Sequence, residues 1–380
     1  MNSLIQALKK VKDFRKLQGQ RHPLWRVLLI IILGLMQGYT GYRALGDFAR
    51  FNQDLLLTTL NIVPERVPSY STIRRVMLGV DCSNLLDIFN QWASHLAFYK
   101  SLRDWIAIDG KTLRITVNNY HNNYQNFVVI VSLFSQKSGV VLNLTHFSWC
   151  AFPSALKKRG VAPLENKKSS EIHQVQGAIR TCPLQNQVFT LDALHCQKAT
   201  TQAIIDSNNH YTIAVKKNQK TLYNYLEYVS THQTPITVNC TIDKSHGREI
   251  ERTTYVFDPP AYFCLYWWDV KSFIKVVRQG KRGNANYTNI AYYISSLSET
   301  AKVFADKIKG HWAIENKLHW IKDVILQEDH CSFNDTQATT NFSILNTVAL
   351  NLFRILGFDS ITEAQRWLRN KWSRLWVLLE

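Results

Sequence analysis

Paired cysteines are missing from this 380-residue sequence. Its seven (Cys82, Cys150, Cys182, Cys196, Cys240, Cys264 and Cys331) stand singly, with no CxxC among them. That spacing argues against a zinc knuckle and against a disulfide framework, and points to a reducing cytoplasm. Long apolar runs are missing too. The longest, VLLIIILGLM at 27–36, falls short of the ~20 residues that cross a bilayer. Bounded by Arg26 and Gln37, it reads as a buried helix. The opening MNSLIQALKKVKDFRK is amphipathic and basic without a cleavage site, so no signal peptide is expected. There is no internal repeat, no low-complexity linker and no HExxH. Acid is in short supply: 28 Asp and Glu against 45 Lys and Arg, a formal net charge of +17 spread over the whole chain. A chain this basic is expected to meet a polyanion, nucleic acid first, with a merely soluble basic protein as the alternative.

What is present suffices for a sizeable core, since 46% of residues are hydrophobic. Residues 1–100 read as helical. Pro23 opens the long apolar helix, and PSYSTIRRVMLGV sets Ile73, Val76 and Met77 on one face with Arg74 and Arg75 on another. A small helical bundle with a basic helix fits DNA contact; a solvated face on a packing module fits equally well. At residue 105 the texture changes. WIAIDG, NFVVIVSLFS (126–135) and GVVLNLTHFSW (139–149) are β-branched runs parted by polar turns. A helix over 169–182 follows, capped by Ser169 or Ser170, then a strand over 187–193, a helix, and a strand over 210–219. The order predicts a mixed α/β sheet. Beyond it, two antiparallel strands turn at Gly247, two more follow, and from Glu299 the pattern is helical again, divided at Gly310.

Asp109 and Asp192 each end an apolar strand, in IAID and FTLD. An acid there costs desolvation unless it is paired or binds a metal. Two facing carboxylates repel, and a divalent cation between them relieves both costs. Singly, each reads more readily as a turn former than as a ligand. A phosphate loop is excluded: GKT after Asp109 lacks the upstream glycine. The densest source of a third acid is GHWAIENKLHWIKD (310–323), where His311, Glu315 and His319 share a helical face with Lys322 two turns beyond Glu315. Glu328 and Asp329 are alternates. His311, Glu315 and His319 also have the spacing of a helical zinc site, and Trp312 and Trp320 read as core.

The stretches IAIDGKTLR, TLDALHCQKATT, AVKKNQKTLY, DKSHGREIERT and GHWAIENKLHWIKDVILQED together resemble the DDE transposases of bacterial insertion sequences, in the ISAs-type subgroup with the H-repeat-associated proteins. VKDFRKLQGQRHPLWRVLLIIILGLMQGYTGYRALGDFARF and PSYSTIRRV resemble that subgroup's transposase-associated domain. The resemblance runs from about Val11 to Leu356. It implies an α/β fold: an RNase H-like mixed sheet flanked by helices, with a β-rich insertion, preceded by an all-helical N-terminal domain. The expected limits are 1–100 for the helical DNA-binding domain, 101–357 for the catalytic domain with its insertion at about 220–298, and 358–380 for a C-terminal helix. Carried over residue by residue, it implies a catalytic and metal-binding triad of Asp109, Asp192 and Glu315.

Related transposases carry a Tyr-x2-Arg-x3-Glu-x6-Lys signature around the third acid. Glu315 and Lys322 match it, whereas Ile308 and His311 stand where Tyr and Arg are expected. His311 is then a weaker phosphate donor than Arg. The implied chemistry is cleavage and strand transfer on DNA with two Mg²⁺ or Mn²⁺ ions. Lys111, Arg114, Lys198, Lys216, Lys217 and Lys322 are expected at phosphates, Trp312 at an unpaired base, and Arg74 and Arg75 on DNA. The expected partners are the element's terminal inverted repeats and target DNA, with a homodimer in the synaptic complex and no membrane. The expected location is the bacterial cytoplasm, at the nucleoid. The rival readings are a catalytically silent DNA-binding relic and a metal-dependent nuclease with the same core.

Overall fold

In a computed structural model, the chain is described apart from residues 1–3, 63–65, 97–102, 117–126, 150–166, 246–247, 283–284, 332, 334 and 371–380. The apolar run at 27–36 lies in helix α2 (Leu24–Met36), which follows Pro23 and is buried throughout from Val27 to Met36. Around it stand α1 (Leu4–Leu8), α3 (Tyr42–Phe51), α4 (Gln53–Leu60), α5 (Tyr70–Gly79) and α6 (Cys82–Leu96). Helix α5 buries Ile73, Val76 and Met77 and leaves Arg74 and Arg75 exposed, as its 3.6-residue period requires.

Nine strands form one sheet: β1 (Trp105–Thr112), β2 (Phe127–Ser135), β3 (Val141–Trp149), β4 (Val188–Leu191), β5 (His210–Val215), β6 (Thr237–Ser245), β7 (Arg248–Phe257), β8 (Ser272–Arg282) and β9 (Ala285–Ser295). Their order is β3-β2-β1-β4-β5-β9-β8-β7-β6. Strand β1 runs antiparallel to β2 and parallel to β4; β5 is parallel to β4 and antiparallel to β9. Strand β2 is buried at every position because both its faces are covered. Val129, Val131 and Leu133 face a core shared with α7 (Lys167–Thr181) and α8 (Lys198–Asp206), the crossover helices. Val128, Ile130 and Phe134 face the opposite core, made by the N-terminal helices and α11 (Thr336–Ile355).

Helix α11 is buried from Ala338 to Arg354, and two of its asparagines bind the backbone of other elements. Asn351 donates to the Val141 carbonyl and accepts from the Val141 amide, both at 2.8 Å. Asn341 donates to the carbonyls of Met77 and Val80. These bonds tie the first helices and the sheet to one late element, and they satisfy groups that would be costly to bury unpaired.

Several expectations need correction. Helix α7 already begins at Lys167, so neither Ser169 nor Ser170 is its cap. Strand β5 ends at Val215, and the stretch after it is helix α9 (Lys220–His232), whose buried Leu222, Leu226 and Val229 have helical spacing. Gly310 does not divide its helix: α10 (Ala301–His311) runs through it, and a Cβ there would meet the tip of the Gln136 side chain, Oε1, at 2.3 Å. The expected turn at Gly247 lies outside the described residues. Of the expected C-terminal helix, α12 spans Ile361–Asn370, and 371–380 lie outside the described residues.

Candidate active site

Parallel pairing places the two strand-end acids. Ala107 lies opposite Thr190 in the β1–β4 ladder, so Asp109 and Asp192, each two residues further on, come out level at the same edge of the sheet. Asp192 caps a short 3₁₀ turn (Ala193–His195) and accepts a bond from the Leu194 amide at 3.0 Å. That turn is held from the end of β5: Asn218 donates to the Ala193 carbonyl and Gln219 to the Cys196 carbonyl.

Asp109 is half-buried, and its pKa is pushed up to about 7. Burial is the largest cause, followed by the Asp192 carboxylate; Glu171 adds to the rise, while the Gly110 amide and His195 oppose it. Like charges sharing a site disfavour ionisation of the more buried one, here Asp109. Two further groups complete this edge. His195 is buried with neither ring nitrogen hydrogen-bonded, and its Nε2 lies 3.6 Å from Glu171 Oε1 and 3.9 Å from Asp192 Oδ1. His319 approaches from the other side, its Nδ1 3.4 Å from Asp109 Oδ2.

The segment after α10 supplies that second side. It continues as two π-helical turns, Glu315–His319 and Ile321–Ile325, in which the Leu326 amide bonds the Ile321 carbonyl. Such widened turns are rare and occur often at functional sites. His311 Nδ1 hydrogen-bonds Thr190 Oγ1 at 2.8 Å. Burial lowers the pKa of His311 to about 4 and of His319 to about 3, so both imidazoles are neutral near pH 7. His311 is therefore engaged with β4 through Nδ1 as a neutral group. Glu315 stands one turn from each histidine and is exposed, without a hydrogen bond or ion pair among the described residues. His311 and His319 engage different strands, so the zinc alternative is not assembled; no three His, Cys, Asp or Glu side chains, Asp109, Asp192 and Glu315 included, lie at metal-binding distance of one another among the described residues.

Two lysines expected on DNA are occupied elsewhere. Lys111 pairs with Asp323, with Glu328 at 3.0 Å and with Asp329 at 3.7 Å. Lys322 is buried, pairs with Glu328 at 3.3 Å, and donates to Ser343 Oγ and Thr347 Oγ1. Burial opposes every charge in this cluster. Lys322 and Lys111 nevertheless hold the Glu328 pKa down to about 2, and Glu328 and Asp323 raise that of Lys111. For Lys322 burial prevails, and its pKa is lowered. The cluster pins β1 to the helix of Glu315 and to α11. Its ammonium groups are turned to protein carboxylates rather than to solvent, and Glu328 is spent there instead of serving as an alternate third acid.

The remaining basic residues are exposed: Arg114 beyond β1, Lys198 at the start of α8, Lys216 and Lys217 beyond β5, and Arg74 and Arg75 on α5. The first four follow the carboxyl ends of parallel strands, the edge that carries Asp109 and Asp192. Trp312 and Trp320 are 47% and 53% exposed, which corrects their assignment to the core, and the Arg278 guanidinium stacks on Trp312 at 4.6 Å. The sequence reading missed Glu171 and His195. Neither ends an apolar strand, and only the fold brings α7 over β1.

Comparison with known proteins gives one consistent result. The family described as "Transposase DDE domain" matches residues 160–352, and the family "DDE_Tnp_1-associated" matches residues 5–93. The "H repeat-associated putative transposase YhhI" of Escherichia coli K12 is 27% identical over 377 residues, covering 96% of this chain and 93% of that protein. "Putative transposase YncI" of Escherichia coli O157:H7 is 28% identical over 368 residues, covering 93% and 88%. Among solved structures, a piggyBac transposase synaptic complex with hairpin DNA is similar at a TM-score of 0.46 and 11% identity, over 96% of this chain and 74% of that one. No described helix is long and apolar enough to cross a membrane.

Proposed function

The chain belongs to the DDE transposases, and from that premise we propose that Asp109, Asp192 and Glu315 form its metal-holding catalytic triad. Its expected activity, as an insertion-sequence transposase, is DNA cleavage and strand transfer. The observation that carries the site is the level placement of Asp109 and Asp192 on adjacent parallel strands, with Asp109 held reluctant to ionise. The strand order β3-β2-β1-β4-β5, with one acid on the first strand and one just after the fourth, supports an RNase H-like core.

The donors fit hard divalent cations, because both are carboxylate oxygens and the charge each lacks a partner for is the charge a cation supplies. Mg²⁺ or Mn²⁺ held there would supply activation of the attacking oxygen and stabilisation of the leaving one. Asp109 and Asp192 hold one side of that site from the sheet. His311 and His319, set against Thr190 and Asp109, fix the intervening turn, from which Glu315 would close the other once cations draw the carboxylates in. The neutrality of both histidines keeps a competing cation out of the site. Arg114, Lys198, Lys216 and Lys217 rim the same edge and suit phosphate contact. Arg74 and Arg75 provide a second basic face, and Trp312 presents an exposed ring for base stacking. The partners are the element's inverted repeats and target DNA, engaged by a dimer so that two ends are paired.

The test is cleavage of DNA carrying the element's ends, with a second DNA as target. Wild type should release a 3′-OH in Mg²⁺ and join it to the target, and Asp109→Asn should bind the ends without cutting them. Cutting without joining would mark a nuclease, binding without either a relic, and cutting by Asp109→Asn would remove that residue from the site.

A further inference from the structure

We propose that Glu171 is a fourth carboxylate of the metal site, reaching it from α7 on the face of the sheet opposite Glu315. This rests on the reading of Asp109 and Asp192 as ligands and adds to it. Side chains alternate along β1, so Asp109 points toward His319 and position 110 points toward α7. Position 110 is glycine, and a Cβ there would sit 3.0 Å from Glu171 Oε1 and 3.2 Å from its Cδ. The missing side chain is what lets this carboxylate lie against the strand beside Asp109.

Glu171 is only 13% exposed there. His195 Nε2 lies 3.6 Å from its Oε1, with no hydrogen bond to it. That imidazole is only 1% exposed, and it faces both Glu171 and Asp192 with neither nitrogen satisfied. A buried donor left unpaired between two carboxylates is costly for a purely structural ion pair. It suits carboxylates whose second oxygens are drawn to a cation, with the histidine then free to bond the inner ones, as outer partners of metal ligands commonly do. Asp109, Asp192 and Glu171 thus approach the sheet edge from β1, β4 and α7. With Glu315 they would supply hard oxygen donors from four elements, brought to metal-binding distance by the cations themselves.

The experiment is a Mn²⁺ titration of the full chain without DNA, following free Mn²⁺ by its paramagnetic resonance signal. Glu171→Gln should weaken binding roughly tenfold or more, and Glu171→Asp, which keeps the charge but shortens the reach, should weaken it as well. Both should melt like wild type in metal-free buffer. Wild-type affinity and stoichiometry in Glu171→Gln would overturn the proposal. So would full affinity in Glu171→Asp, which would reduce the residue to a distant charge, or a lowered metal-free melting point with affinity intact, which would make it a structural partner of His195. Should the Gln variant not fold, Gly110→Ala decides: it crowds the carboxylate and should also weaken Mn²⁺, and unchanged affinity there overturns the proposal. Asp109→Asn, run beside them, tests the underlying triad separately, because unchanged Mn²⁺ binding in that variant would remove the triad itself.

Discussion

Asp109→Asn should make the metal-free protein more stable above neutral pH while abolishing cleavage. The Asp109 pKa stands at about 7 in the fold against 3.8 for an ordinary aspartate. The folded state therefore keeps a proton that the unfolded chain has released, and the carboxyl costs stability increasingly as pH rises from 3.8 to 7, with the full cost above that. At 1.36 kcal/mol for each pH unit between the two values, the ceiling is about 4 kcal/mol. The side chain is 31% exposed, so water screens part of the penalty, and the expected gain from Asn is about 2 kcal/mol. Urea melts of both proteins in EDTA, from pH 3.5 to 8.5, measure it. The two curves should coincide near pH 3.5 and separate steadily to a plateau above pH 7. Adding Mg²⁺ should stabilise wild type and leave the Asn variant unmoved. A variant less stable than wild type at pH 8, or a gain already complete at pH 4, would refute the argument that repulsion and burial strain this carboxyl.

Three further outcomes follow from the packing. Glu328→Gln leaves the buried Lys322 without its carboxylate, while Lys111 keeps Asp323 and Asp329, and should cost about 3–5 kcal/mol in urea melts at pH 7. Because the Glu328 pKa is depressed to about 2, that difference should be complete above pH 4.5 and fade as pH falls toward 2. Gly310→Ala must displace Gln136, whose Nε2 donates to Thr190 at 3.2 Å beside His311, and should cost about 1–3 kcal/mol and slow cleavage of a still-folded protein. Lys216→Ala and Lys217→Ala should each flatten the salt dependence of end binding by about one unit of slope, read by fluorescence anisotropy across a salt series.

Features governed by local periodicity were legible in the sequence. The strands around Asp109 and Asp192 announced themselves because their both-faces-buried runs break at a single acid, and parallel pairing then needs only matched lengths to bring the acids level. Helix α5 was legible for the same reason, its arginines and apolar residues falling on separate faces. The roles of charged residues depend on partners far along the chain, and they were not legible. Lys111 and Lys322 sit in motifs and look available, yet Glu328 and Asp323 claim them, in a cluster assembled only when β1, the π-helical segment and α11 meet. Trp312 and Trp320 have core spacing on an ideal helix; the widened turns change the angular relation between successive residues, and both rings are exposed. Glu171 sits in a helix with no local mark of function, and its place beside Asp109 depends on the glycine at 110.

The central claim, that the paired strand-end carboxylates hold the cations used in cleavage, is tested most directly by exchanging one oxygen ligand for sulfur. Asp192→Cys should fail to release a 3′-OH from element ends in Mg²⁺ and should recover cleavage in Mn²⁺, which accepts a thiolate more readily. Cleavage by Asp192→Cys at the wild-type rate in Mg²⁺ would contradict it.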